Sequence, residues 1–347
     1  MKILVTGGCG FIGSNYVIRQ VIKRRNKVLN IDSLTYAGNI ENLSILNDNV
    51  NYTFVHGDIS DIKCLNKAFR DFNPDVVVHF AAESHVDRSI DDPLIFVKTN
   101  LVGTATLLQA SLEHWKNTKN NFRFIHVSTD EVFGSINDKS LFTESTPYNP
   151  SSPYSASKAG SDFLVKAWQK TYNLPAIVTN CSNNYGPYQF PEKLIPLIII
   201  NCLNERPLPI YGNGKNIRDW LFVDDHCTAL DIIIENGKIG ETYNFGGNNQ
   251  TSNIDIVNKI CEILDEKKPL KSSKSYKALI TYVKDRPGHD FKYAIDTSKM
   301  KNDFNWKPKE DLESGIRKTI NWYLKNEKWW RKIQKKIYHQ ERLGLEN

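Results

Sequence analysis

A glycine-rich turn between a strand pattern and a helix pattern is the feature that most limits how this chain can fold. Residues 3–5 form a short apolar run of the kind found in buried strands, and residues 14–23 place apolar side chains at helical spacing. Glycines between two such segments permit a tight turn and let backbone N–H groups approach a pyrophosphate at the helix N-terminus. The arrangement predicts a dinucleotide-binding unit. The glycines are Gly7, Gly8, Gly10 and Gly13.

Short β-branched runs alternate with helical patterns through the first half of the chain. Runs that are apolar on both faces are typical of strands in a parallel sheet covered by helices on both sides. The alternation therefore predicts an α/β fold with a doubly wound parallel sheet, the Rossmann architecture. The strand runs are residues 3–5, 28–31, 53–55, 76–80, 124–127 and 176–179.

Prolines and longer loops become more frequent after residue 180. We therefore expect a Rossmann domain over residues 1–180 and a smaller, irregular substrate-binding domain mainly over 181–347. The chain is expected to return to the large sheet within residues 218–246, at the apolar runs 221–223 and 242–245. Residues 316–330 predict one amphipathic, tryptophan-rich helix.

Polar and small residues follow the later strand runs, where a doubly wound sheet binds its ligands. Asp32 ends the second run, and a carboxylate there accepts hydrogen bonds from both ribose hydroxyls and repels a 2′-phosphate, which favours NAD over NADP. Asp58 follows the third run and is expected near the adenine amino group. After the fourth run stand residues that permit close approach of the cofactor or point into the cleft: Ala81, Ala82, Ser84 and His85.

Two segments carry the candidate chemistry. Tyr154 and Lys158 are four residues apart and project from one face of a helix. The ammonium of Lys158 is expected to lower the pKa of Tyr154, about 10 in an unperturbed phenol, so that it can take a proton from an alcohol. Thr129 is followed directly by Asp130 and Glu131, which indicates an acid and a base for a second step, and elimination of water is the candidate.

Composition excludes several other classes. The sequence contains no run of 18 apolar residues, so no membrane span is predicted. No secretory signal pattern precedes the first strand, and a cytoplasmic location is expected. The six cysteines are scattered singly, so reduced thiols and no metal site are predicted. A net charge of +6 without a recognised module gives no reason to expect a nucleic-acid partner.

Taken together, these motifs resemble the extended short-chain dehydrogenase/reductase superfamily and, within it, the dTDP-glucose 4,6-dehydratases. The Thr-Asp-Glu triplet separates such dehydratases from the sugar 4-epimerases that share the Tyr/Lys pair. Phe133 is a small departure, since family members often carry Tyr there. The matching segments are residues 6–13, 35–39, 81–89, 128–134, 154–158, 180–193, 218–220 and 285–290.

The resemblance implies three steps on a nucleotide-linked glucose. Tyr154, helped by Lys158, takes the C4 hydroxyl proton as NAD takes the C4 hydride, and Thr129 holds the same oxygen. Glu131 then removes the C5 proton, while protonated Asp130 donates to the departing C6 hydroxyl. The hydride returns to C6, so NAD is regenerated.

The resemblance also implies the ligand contacts. The expected NAD contacts are Gly7, Gly10, Phe11, Ile12, Gly13, Asp32, Ser33, Leu34, Thr35, Asp58, Ile59, Ala81, Ala82, Ser84, Thr99, Tyr154 and Lys158. The expected nucleotide-sugar contacts are Ser84, His85, Thr129, Asn183, Glu192, Lys193, Leu194, Pro209, Tyr211, Arg218, Asn253, Arg286 and His289. Arg218 and Arg286 are suited to the diphosphate.

Some alternatives stay open at this stage. The residues also suit a UDP-glucose 4,6-dehydratase and, less well, a nucleotide-sugar 4-epimerase, which needs no acid and base at C5 and C6. A non-catalytic NAD-binding sensor is a further alternative, although such proteins typically lose the Tyr or the Lys, and both remain here. The resemblance implies a homodimer joined by a four-helix bundle of residues 93–114 and 153–172 from each subunit. The expected product serves deoxysugar synthesis, with rhamnose as the expected sugar.

Overall fold

The structure is a computed structural model and describes residues 1–118, 121–136, 140–272 and 274–336. Strands and helices alternate along most of this length, as the apolar runs predict. The strands are β1 (Lys2–Thr6), β2 (Lys27–Asp32), β3 (Tyr52–His56), β4 (Val76–His79), β5 (Arg123–Thr129), β6 (Ala176–Cys181), β7 (Asn183–Tyr185), β8 (Leu208–Tyr211), β9 (Ile217–Phe222), β10 (Thr242–Phe245), β11 (Gln250–Ser252) and β12 (Ile280–Val283).

The α-helices are α1 (Phe11–Ile18), α2 (Ile62–Phe72), α3 (Val86–Asp91), α4 (Pro93–Phe96), α5 (Thr104–Thr118), α6 (Pro153–Tyr172), α7 (Leu194–Leu203), α8 (Val223–Asn236), α9 (Asn253–Lys267), α10 (Ser298–Phe304), α11 (Leu312–Lys325) and α12 (Glu327–Lys336). The π-helical segment Arg19–Lys23 continues α1, and a second one, Val97–Gly103, joins α4 to α5. The 3₁₀ turns are Ile40–Leu46, Asp130–Phe133 and Tyr276–Leu279.

A parallel sheet in the order β10-β6-β5-β4-β1-β2-β3 forms the centre of the described chain. Its strands pair in parallel, with Ile3 opposite Val28 on one side of β1 and opposite Val76 on the other. The chain order reverses between β1 and β4, so their carboxyl ends diverge and leave a crevice there. This is the predicted doubly wound α/β fold, and the crevice is where it binds ligands.

One predicted return of the chain to the large sheet is wrong. The run 242–245 does join it, as β10 beside β6. The run 221–223 instead belongs to the end of β9 and the beginning of α8, and β9 lies between β11 and β7 in a separate sheet. The side chains of β9 alternate between two cores, with Leu221 in the core of the large sheet and Phe222 in a second hydrophobic core. A strand buried on both faces in this way has the same apolar sequence as a central parallel strand.

Two helix predictions also needed revision. The predicted helix 316–330 is two helices, because α11 ends before Asn326, whose side-chain amide donates to Trp322 O at 2.8 Å. The predicted helix 93–114 continues to Thr118 and contains the π-helical segment. The predicted helix 153–172 coincides with α6. Among the described residues, no helix combines the length and the apolar character that a bilayer crossing requires.

Candidate active site

The glycine turn after β1 is packed too closely to carry side chains. Gly7 has a φ of +72°, a left-handed conformation that favours glycine. A Cβ on Gly7 would lie 2.6 Å from the backbone nitrogen of Ala81, and one on Gly13 would overlap the carbonyl oxygen of Gly7. The turn therefore brings the N-terminus of α1 against the end of β4, as a pyrophosphate-binding turn requires.

Asp32 stands at the end of β2, beside this turn. Its carboxylate accepts hydrogen bonds from the backbone N–H groups of Cys9 and Leu34, both at 2.8 Å. Burial raises its pKa, while these two donors act in the opposite direction. The two bonds orient the carboxylate at the crevice, where ribose hydroxyls can donate to it. Asp58, after β3, is held by the backbone N–H of Ser60 at 2.7 Å.

A cavity of about 390 Å³ runs along the crevice. Every residue predicted to contact NAD lines it, except Leu34. Leu34 has a φ of +52° and turns its N–H toward Asp32, so its contribution is to orient that carboxylate. The close-packed glycine turn and the Asp32 carboxylate at the end of β2 fit NAD, the predicted dinucleotide. The predicted catalytic residues Thr129, Asp130, Glu131, Tyr154 and Lys158 line the same cavity.

The five catalytic candidates come from two neighbouring elements. Thr129 ends β5, and its hydroxyl accepts from the backbone N–H of Glu131 at 3.2 Å, which begins the turn Asp130–Phe133. Helix α6 begins with Pro153 at its first position and a capping box between Ser152 and Ser155. This cap places Tyr154 and Lys158 in the first two turns of the helix, directly against β5.

The two adjacent carboxyl groups have different surroundings. Burial, the neighbouring Glu131 and Asp219 raise the pKa of Asp130 well above its usual range, while Arg218 and the hydrogen bond with Thr129 oppose them, so the protonated form of Asp130 is favoured. Burial also raises the pKa of Glu131, but Arg286, Arg218 and Lys193 each act to lower it. Such a difference between neighbouring carboxyl groups is how an acid and a base are set apart at one pH.

Tyr154 differs from the expectation. We expected Lys158 to lower the pKa of its phenol, but burial and the Glu131 carboxylate hold that pKa well above the usual value, while a hydrogen bond with Thr129 opposes them. Lys158 is buried, and its ammonium donates to Val127 O at 3.0 Å. The phenol therefore carries its proton in the free protein, because it is buried beside a carboxylate.

The predicted sugar contacts near β7 also line the cavity: Ser84, Asn183, Glu192 and Lys193. The ammonium of Lys193 donates to Ser84 O at 3.1 Å. Glu192 is buried, with Arg88 Nε at 3.1 Å from one carboxylate oxygen and His85 Nε2 at 3.9 Å from the other. His85 itself lies behind Glu192 and does not line the cavity.

The remaining predicted substrate residues lie outside the lining of this cavity: Leu194, Pro209, Tyr211, Arg218, Asn253, Arg286 and His289. Three of them meet next to the site. Asp87 accepts from Arg286 Nη1 at 3.0 Å and from the hydroxyl of Tyr211 at 3.1 Å, and the rings of Tyr211 and His289 are 6.3 Å apart. Arg286 and Arg218 both act to lower the pKa of Glu131. The residues around Asp87 therefore lie beside the catalytic residues.

Sequence reasoning missed several residues of the site. Lys98 and Cys181 line the cavity, and Asp87 and Arg88 hold predicted ligand residues in place. Lys98 is the one charged residue of the run 93–103, and this was the only local signal that could have identified it. Cys181 was predicted to be a structural thiol. Within the described ranges, no group of three or more His, Cys, Asp or Glu side chains is arranged to hold a metal ion.

The turn allows a first prediction. Gly13→Val places a branched side chain where even a Cβ overlaps Gly7 O, so the turn has to open. Strain of this kind weakens dinucleotide binding by about ten- to a hundredfold. The measurement is the nucleotide released per protein molecule after denaturation and chromatography. Ser14→Ala, which loses one hydrogen bond to Phe11 O at 3.0 Å, is the control and is expected to retain nucleotide. Equal retention by both variants contradicts the assignment of the turn.

Comparison with known proteins gives a consistent result. Residues 4–319 match the family model described as GDP-mannose 4,6 dehydratase. The chain is 54% identical to the dTDP-glucose 4,6-dehydratase of Salmonella typhimurium over 97% of each chain. A dTDP-glucose 4,6-dehydratase of Bacillus anthracis, solved in complex with NAD, has a TM-score of 0.86 and 46% identity, covering 96% of this chain and 99% of that one. DesIV, the Streptomyces venezuelae dTDP-glucose 4,6-dehydratase with NAD and TYD bound, has a TM-score of 0.88 and 42% identity, covering 96% and 100%.

Proposed function

The chain belongs to the dTDP-glucose 4,6-dehydratases, which are NAD-dependent nucleotide-sugar 4,6-dehydratases, and on this premise we propose that it converts dTDP-glucose to dTDP-4-keto-6-deoxyglucose and water. The observation that carries the proposal is the contrast between Asp130 and Glu131. In Asp130, burial and two neighbouring carboxylates favour the protonated form, whereas in Glu131 three cations oppose the effect of burial. An enzyme that only oxidises or epimerises C4 has no use for such a pair.

The reaction begins at the C4 hydroxyl. Bound NAD supplies the electron acceptor, taking a hydride from C4 and returning one to C6. Tyr154 accepts the hydroxyl proton, and Thr129 donates a hydrogen bond to the oxygen that becomes a carbonyl. The free phenol is protonated even with the Lys158 ammonium in place, so it acts as a base only when further positive charge lies beside it. The oxidised nicotinamide of bound NAD would add that charge to the charge of Lys158.

Elimination follows because the C4 ketone acidifies the neighbouring C5–H. Glu131 removes this proton, and its three cationic neighbours favour the ionised carboxylate against the effect of burial. Asp130 gives its proton to the C6 hydroxyl, which leaves as water. As C6 is reduced, Glu131 returns its proton to C5. The proton that Tyr154 took from the C4 hydroxyl replaces the one that Asp130 gave to the leaving water, so protons and electrons balance with the cofactor and the enzyme in their starting states.

Cations next to the sugar site support a diphosphate. Arg286 has one N–H, on Nε, that is buried without a partner among the described residues. Arg218 is buried, with its guanidinium 4.3 Å from the centre of the Tyr293 ring. Phosphate oxygens are suitable acceptors for such planar donors. We assign these two arginines to the diphosphate and Tyr211, with Pro209, to the base.

The decisive assay incubates the protein with dTDP-glucose and, separately, with UDP-glucose. The 4-keto-6-deoxy product is followed by its absorbance in alkali. We expect product from dTDP-glucose without added NAD, and a lower rate from UDP-glucose. Conversion to the galactose form alone would identify an epimerase, and no turnover of either nucleotide would favour a sensor. A deoxysugar pathway in the cytoplasm, with rhamnose as the final sugar, stays a prediction.

We also propose a homodimer. The predicted helices expose apolar side chains that the protomer core leaves uncovered: Leu94, Ile95, Val97, Val102 and Phe163. Other apolar residues of these helices belong to the protomer's own core, namely Phe96, Leu107 and Leu108. Trp168 of α6 packs against the core beside α2 and α5. The exposed set lies along α6 and the neighbouring helical segment, which supports a paired-helix interface.

The dimer leads to a second prediction. Phe163 is 58% exposed, so Phe163→Asp costs little in the isolated protomer but puts an uncompensated charge into the interface. We expect the dimer to dissociate about tenfold more readily or worse, and activity to fall with it, because α6 also carries Tyr154. Sedimentation across a concentration series measures the association. Ile45→Asp, at a residue 66% exposed on another surface, is the matched control. A fully active wild-type monomer would end the proposal.

A further inference from the structure

Lys158 needs a negative partner that the sequence motif does not contain. Its side chain is buried, and burial lowers the pKa of its ammonium. Lysines buried without a counter-ion can lose their charge near neutral pH. The influences that act the other way are Asp162 first, and then the thiol of Cys181. Burial raises the pKa of Cys181 far above neutrality, so that thiol carries no charge. Asp162 therefore remains as the counter-charge.

Asp162 is one helical turn beyond Lys158 on α6 and is completely buried. Its carboxylate is held from three other elements. The hydroxyl of Tyr148 donates to Oδ2 at 2.9 Å, the amide of Asn180 on β6 donates to the same oxygen at 3.3 Å, and His126 Nε2 on β5 lies 3.1 Å from Oδ1. A carboxylate with this many polar neighbours and no access to solvent is fixed in position.

The charges around Asp162 leave it negative. Burial and Lys158 lower the pKa of His126 to about 4, so this imidazole is neutral at pH 7 and does not neutralise the carboxylate. His79 on β4, 5.2 Å from the His126 ring, also has its pKa lowered by burial and by both neighbours. Burial acts to raise the pKa of Asp162, but the hydrogen bond with His126 and the charge of Lys158 outweigh burial and lower that pKa. The other cation facing it is Lys166, on its own helix, whose ammonium lies 3.3 Å from the Tyr148 hydroxyl.

We propose that Asp162 is a positioning residue for the reaction, because its buried carboxylate, one helical turn from Lys158, keeps the Lys158 ammonium charged. Asp162 does not line the cavity. Its effect on catalysis passes through Lys158 to Tyr154. The inference rests on the proposed function only in the step from Lys158 to Tyr154. The effect of Asp162 on the charge of Lys158 does not depend on a substrate.

The direct test is NMR titration of Lys158 in protein labelled with ¹³C at lysine Cε, with the resonance assigned by its loss in Lys158→Met. We expect wild-type Lys158 to be charged at pH 7. In Asp162→Asn, which keeps the shape and can still bond Tyr148 and His126, the titration should move down by about one pH unit or more. Asp162→Ser serves the same purpose if the Asn variant does not fold. Lys166→Gln removes another positive charge near Asp162 and should not move the Lys158 titration to lower pH.

A kinetic test separates this inference from the proposed function. In a Glu131→Gln background, the single-turnover rate of cofactor reduction reports on Tyr154 and Lys158 without elimination. Adding Asp162→Asn should move the alkaline limb of that rate to lower pH by the same amount as the NMR titration. An unshifted Lys158 titration, or a wild-type Lys158 already neutral at pH 7, overturns the inference. A third outcome is possible, in which the Lys158 titration shifts but neither dTDP-glucose nor UDP-glucose reduces the cofactor. That outcome contradicts the proposed function, whereas the inference that Asp162 keeps Lys158 charged remains valid.

Discussion

Replacing Glu131 with glutamine is expected to stop product formation while the first oxidation still occurs. The side chain keeps its shape, and the backbone N–H of residue 131 still bonds the Thr129 hydroxyl. Tyr154 and Lys158 remain in place, so the C4 hydroxyl can still be oxidised. Loss of a positioned base typically lowers a rate by about 10²–10⁴-fold. Stopped-flow absorbance at the wavelength of reduced nicotinamide should therefore show reduction of the cofactor without the 6-deoxy product.

The control for this variant is Glu113→Gln, at an exposed glutamate on α5. It makes the same chemical change at a distance from the site and should leave turnover at the wild-type rate. A Glu131→Gln enzyme that forms product normally removes Glu131 from the role of base. A variant that neither reduces the cofactor nor forms product instead indicates that Glu131 is needed for the first step.

Replacing Tyr154 with phenylalanine is expected to abolish both steps. The phenol is hydrogen-bonded with Thr129, beside which the C4 hydroxyl is expected to bind, and phenylalanine keeps its packing against Val86 and Phe96. Because oxidation must precede elimination, cofactor reduction and product formation should fall together by about 10²–10⁴-fold. The two variants thus differ in one readout, since reduced cofactor accumulates with Glu131→Gln and not with Tyr154→Phe.

The matched control is Tyr282→Phe, at an exposed tyrosine on β12. It should bind nucleotide and turn over like the wild type. Retention of dinucleotide by Tyr154→Phe, measured after denaturation, shows that the cofactor site is intact in the inactive variant. Cofactor reduction at the wild-type rate in Tyr154→Phe is the result that would exclude Tyr154 as the base.

The local motifs were predictable because their chemistry depends on neighbours in the chain. The glycine turn needs only a strand before it and a helix after it, so residues 7–13 could be assigned from spacing alone. Tyr154 and Lys158 meet because they are four residues apart on one helix. Asp130 and Glu131 are adjacent. The parallel sheet followed from apolar runs whose period and length are local properties.

The tertiary structure decided the contacts between distant segments and the pKa values that depend on those contacts. The sequence does not indicate that Asp87 holds Arg286 and Tyr211, or that three cations from distant segments act on Glu131. Nor does it show that β9 lies between two cores. The expected low pKa of Tyr154 was wrong because pair spacing contains no information on burial. Burial and long-range charge depend on the folded position of every neighbour, whereas turns, helical faces and strand periodicity depend on a few consecutive residues.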